Sequence, residues 1–132
     1  MGLLSVILAA LGGFFMGAAI YMSPLSKPWM KAVGIACDED GKPQTAPTAM
    51  PFIVNGIALL IVAGMMRHVF AMAGIDGAGA GLIAGFGVGI FLIAPWIATN
   101  YTYAKRPLAL ILIDGLYAAT GPAVMGLILG LF

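Results

Sequence analysis

One acid stands where an acid is costly. Asp114 interrupts an otherwise uncharged run from Pro107 to Phe132, PLALILIDGLYAATGPAVMGLILGLF. In a helix beginning at Pro107 it lies about 10 Å along the axis. A carboxyl at that depth in an apolar span costs a few kcal/mol unless it is paired, protonated or wet, so it should face other helices. Tyr117 follows three residues later, on the same helix face. Asn55, Asn100 and Arg106 fall at the matching ends of their own segments, and together these five residues form a candidate intramembrane polar cluster. Two chemistries suit it. One is a proton- or cation-binding site on a transport path. The other is a hydrogen-bonded clasp that fixes helix ends. The clasp is favoured, because conduction normally needs a polar path beyond a single acid, and the rest of the segment, AATGPAVMGLILGLF, offers only Thr120.

A second group, Arg67-His68 with Asp76, falls near the opposite end. Arg67 lies about 24 Å along its helix from Pro51, where it can snorkel to water and meet Asp76 across a short turn. His68 follows Gly64 by four residues, which leaves room beside the imidazole for a flat pigment or haem. With one histidine and no Cys-x-x-Cys-His, an interfacial histidine is the simpler reading, so no cofactor and no metal is expected. A Ser/His/Asp arrangement would need His68 and Asp114 together, yet they belong to opposite faces. No zinc spacing and no phosphate-binding loop is present. Asp38-Glu39-Asp40 with Lys42 reads as a solvated turn, and the lone Cys37 as inert. The chain is not expected to be an enzyme.

The elements that must position these residues follow from composition. The 132 residues are 62% hydrophobic and 8% charged, with a net charge of +1. Eleven charges cannot cover the surface of a water-soluble globule of this size; soluble domains carry roughly a quarter charged residues. One cysteine excludes a disulfide scaffold, and the missing basic excess excludes a nucleic-acid binder. Crossing the hydrocarbon core takes roughly 20 apolar residues, and four stretches supply them. The reading is an all-α membrane protein, a single bundle of four transmembrane helices at about 3–22, 51–72, 77–99 and 107–131. Its long first loop, Ser23–Met50, opens with SPLSKPWMKAVGI, which suits a short interfacial helix with Trp29 and Met30 inward and Lys27 and Lys31 toward headgroups. Loops one and three carry Lys27, Lys31, Lys42, Lys105 and Arg106, so the positive-inside rule makes them cytoplasmic and both termini periplasmic. Tyr21, Trp29, Trp96, Tyr101 and Tyr103 then read as an aromatic belt at the cytoplasmic interface. The N-terminus lacks the basic region of a secretory signal and reads as a retained helix.

Nineteen glycines are about twice the usual share. Gly77, Gly81, Gly85 and Gly89 recur every fourth residue as a smooth stripe, and Gly13 and Gly17 extend a similar stripe from Ala9. In lipid, close backbone approach over small residues is a main route to helix association. The spacing predicts tight contact without saying whether the partner lies in the same chain or in another copy.

Two blocks carry a family resemblance. GAAIYMSPLSKPWMKAVGI near the first helix and NYTYAKRPLALILIDGLYAATGPAVMGLILG near the end resemble segments of the domain of unknown function 1761 family, small bacterial membrane proteins. The resemblance implies a four-helix fold in the bacterial inner membrane and no activity. The glycine stripes and the small extramembrane mass lead to the expectation of an oligomerising or accessory subunit, a homo-oligomer or part of a larger membrane complex. The alternative is a small proton-, cation- or solute-conducting protein that uses Asp114.

Overall fold

The computed structural model describes residues 2–132 as five helices, with no strand among them. Helix α1 spans Gly2–Tyr21, α2 Ser26–Val33, α3 Met50–Ala73, α4 Ala78–Tyr103 and α5 Leu108–Leu129. All but α2 are long and apolar enough to cross a membrane, four candidate spans that suggest a multi-pass membrane protein. Met50-Pro51 opens α3, where the missing proline N–H costs nothing. Gly74, left-handed at φ 65°, closes the same helix as its amide turns back to the Phe70 carbonyl.

Helix α4 continues to Tyr103, past residue 99 where the composition placed its end, so only Ala104–Pro107 connects it to α5. Its middle widens into a π turn over Gly89–Ile93, just before Pro95. Proline has no N–H to return to the preceding turn, and a wider turn absorbs the missing bond without breaking the helix.

Helix α5 is the centre of the bundle. Leu110, Ile113, Ala118, Ala119, Met125 and Leu129 are among its buried residues. Helix α1 packs along one side of it and α4 along the other, while α3 leans mainly on α1. The α1–α3–α5 core brings together Ala9, Ala10, Leu59, Ala63, Met66, Phe70, Met125 and Leu129. Gly13 sits against Met125 and Leu59, and Gly17 against the Tyr117 ring.

The glycine stripe of α4 is spent on α5, within the chain. A side chain on Gly81 would run into the Gly126 carbonyl, one on Gly85 into that of Pro122, and one on Gly89 into that of Ala118. Gly130 meets the Gly77 carbonyl in the same register. The two backbones therefore touch every fourth residue along an antiparallel pair, close enough for Cα–H···O contacts. Pro122 lacks the N–H that would bond the Ala118 carbonyl, and Gly89 faces that freed oxygen.

Helix α3 packs on the α1 side of α5 and α4 on its other side, and no packed seam joins α3 to α4 among the described residues. Between them the bundle is open.

Candidate functional site

The opening is a cavity of about 690 Å³ whose floor is α1 and α5 and whose walls are α3 and α4. Most of its lining is apolar: Phe14, Phe52, Leu59, Val62, Ile93 and Ile97. Its polar residues gather at the end where α1 finishes and α5 begins, namely Tyr21, Trp29, Asn55, Asp114 and Tyr117. Because no packed seam joins α3 and α4, the cavity lies in the gap between them.

Asp114 organises that end. Oδ1 accepts from the Tyr21 hydroxyl and from the Trp29 indole N–H at 2.9 Å, and Oδ2 accepts from the Tyr101 hydroxyl at 2.5 Å. One carboxyl thus joins α1, α2, α4 and α5. Indole nitrogen can only donate, so Trp29 needs an acceptor at this spot. The short helix α2 supplies it by turning Trp29 inward while Lys27 and Lys31 stay exposed. The rings also meet edge to face, Tyr21 with Trp29 at 5.4 Å and Tyr21 with Tyr117 at 5.7 Å between centroids. No basic side chain pairs with Asp114 among the described residues.

The structure sorts the candidate cluster differently from the spacing. Tyr117 faces the same cavity but donates to the Gly13 carbonyl at 3.0 Å, tying α5 to α1. Asn55 lies beside the Tyr117 hydroxyl on the cavity wall. Asn100 is exposed and takes no part. Since α4 continues through it, the next residue, Tyr101, is the one turned toward α5. Arg106 reaches neither Asp114 nor Tyr117. Its guanidinium donates to the Val33 carbonyl at 2.7 Å and so caps α2, where a cation meets the unpaired carbonyls of a helix C-terminus.

The aromatic belt is corrected as well. Tyr21, Trp29 and Tyr101 point in to Asp114, because an acid inside the bundle needs donors and these three are within reach. Trp96 and Tyr103 alone stay exposed. At the other end Arg67 turns to Ser5, with Nε 3.2 Å from its hydroxyl, and not to Asp76. Ser5 is buried and anchored to its own helix at the Gly2 carbonyl, so it offers a fixed acceptor, whereas Asp76 lies in an exposed turn. His68 is exposed.

The donors that sequence reasoning missed had a signal. A lone acid in four apolar spans needs hydrogen-bond donors, and the phenols and indole at that end of the bundle were the nearest supply.

Among known proteins, the family described as a protein of unknown function (DUF1761) matches residues 4–130. Neither the curated proteins nor the solved structures contain a match.

Proposed function

The chain belongs to the DUF1761 family, and from that premise we propose that it is a non-catalytic membrane protein that binds a small amphipathic molecule drawn sideways from the bilayer. The observation that carries this reading is the cavity itself. Ligand sites are concave, mostly apolar and furnished with a few convergent polar groups. This one has about 690 Å³ of apolar space ending at Asp114, and it lies in the gap between two of the candidate spans. The apolar part takes a chain, and the Asp114 end takes a polar head. Conduction has less support, since the polar residues stop at Tyr117 and Asn55. Farther along α5, the Thr120 hydroxyl is turned to its own helix at the Leu116 carbonyl.

Native mass spectrometry after gentle extraction tests the reading. The native protein should retain an amphiphile of a few hundred daltons, one per chain, and Ala18→Trp, which fills the cavity from α1, should release it. Bare-chain masses for both proteins, with nothing retained on either, would overturn it.

A second reading, as an oligomerising or accessory subunit, keeps one support. Gly81, Gly85 and Gly89 of α4 are occupied within the chain, but Ile53, Ile61, Met65, Ile83 and Phe91 leave the outer faces of α3 and α4 exposed. The same spectrum reads it. A heteromeric or multimeric mass in place of a liganded monomer would favour that role.

We infer a bacterial inner-membrane setting with the Asp114 end cytoplasmic, since Lys27, Lys31, Lys42, Lys105 and Arg106 gather at that end. Cys37, the lone thiol, sits in the same loop region. An impermeant maleimide should label it in inverted vesicles and spare it in intact cells; the reverse pattern would invert the orientation.

A further inference from the structure

We propose that the head group held at Asp114 is an ammonium, so that the ligand is a long-chain amine in its cationic form. This deepens the binding reading above and rests on it. Three features of the site carry it.

The first is charge. Asp114 is the one acidic residue in the four spans, and no basic side chain answers it among the described residues. The nearby cations are all engaged elsewhere or turned outward: Arg106 caps α2 at Val33, and Lys27 and Lys31 are exposed. A carboxylate facing an apolar cavity is complemented by a cation, and a ligand that carries one supplies what the chain omits.

The second is hydrogen-bonding capacity. A carboxylate offers about four acceptor positions. Tyr21 and Trp29 use Oδ1 and Tyr101 uses Oδ2, which leaves one position on Oδ2 for a donor from outside the chain. An ammonium N–H fits that position; a carboxylate or phosphate head has no donor to offer and would meet like charge.

The third is the wall around it. Tyr21, Trp29 and Tyr117 line the Asp114 end of the cavity and pack edge to face there. Their electron-rich rings attract a cation without binding it as a fixed counter-ion, which is how aromatic cages recognise ammonium groups. An anionic head gains nothing from them. The apolar stretch from Leu59 to Val62 and Ile93 then receives the alkyl chain.

The test compares three photoreactive alkyl probes of equal chain length in lipid nanodiscs, bearing an amine, an alcohol or a carboxylate head, with the labelled residues mapped by peptide mass spectrometry. The amine should label the cavity residues Leu59, Ile93 and Ile97 at least about ten-fold more than the other two, the scale of one charge-assisted hydrogen bond in a dry site. Asp114→Asn should erase the preference while the alcohol probe still labels the cavity, and Asp114→Glu, which keeps the charge, should retain it. Retention in Asp114→Glu keeps the test decisive even if Asp114→Asn fails to fold. Equal labelling of the cavity by all three heads would overturn the ammonium assignment and leave amphiphile binding standing. Labelling confined to the outer faces of α3 and α4 for every probe would overturn both.

Discussion

At the scale of single residues, Asp114 does two jobs with one side chain. It is the acceptor that three donors need, and it is the polar end of a cavity. The first job has a measurable cost when removed. Trp29→Phe keeps the ring and deletes one donor, so it should destabilise the protein by about 1 kcal/mol. Asp114→Leu strands the two tyrosine hydroxyls and the indole, and each stranded donor costs roughly 1–3 kcal/mol. In the double variant the Trp29→Phe effect should reverse sign, because the ring without a donor relieves the indole that Asp114→Leu left stranded. Thermal unfolding in one detergent gives all three values; strict additivity would mean that Trp29 is held by something other than Asp114. The spacing singled out Asp114 because an acid in an apolar run has few interpretations. It could not single out Trp29 or Tyr21, because an aromatic residue at a helix end serves a membrane interface just as well.

At the scale of elements, α4 and α5 are bound backbone to backbone, and the glycines of α4 separate into two sets. Gly81, Gly85 and Gly89 face carbonyls of α5, while Gly79 and Gly87 face open space. Gly85→Ala puts a methyl group against the Pro122 carbonyl, which belongs to backbone and cannot swing aside. The helices must part, at a cost of about 1–3 kcal/mol. Gly87→Ala, two residues on, should be neutral or stabilise by up to about 1 kcal/mol through helix propensity alone. Melting temperatures of the pair check this, and equal loss at both positions would contradict the register. The four-residue spacing made the stripe visible in sequence, yet a stripe does not name what it touches. The partner became evident only with Pro122, Gly126 and Gly130 set opposite it. The four spans were legible for a simpler reason: hydrocarbon thickness sets a length of roughly 20 residues, and the chain repeats that length four times. The end of α4 was not, because Asn100-Tyr101-Thr102-Tyr103 is polar enough to read as a loop. The hydroxyls of Thr99 and Thr102 bond back to the Pro95 and Ala98 carbonyls of their own helix, so these polar side chains are satisfied without leaving it.

At the scale of the whole molecule, the arrangement is a tight half and an open half. Helices α1, α4 and α5 close around small residues, and α3 attaches mainly through α1, which leaves a gap against α4. A bundle of four equally packed helices would have no such gap, and would need none if its only task were to be a scaffold. The claim at the centre is that this gap is a ligand site ending at Asp114. A crystal structure of the protein grown from a lipidic phase tests it most directly. Elongated density is expected between α3 and α4, lying along Leu59, Val62 and Ile93, with its head within hydrogen-bonding distance of Asp114 Oδ2. A structure in which α3 closes onto α4 and the side chains of Leu59 and Ile97 meet, leaving no room beside Asp114, would contradict it.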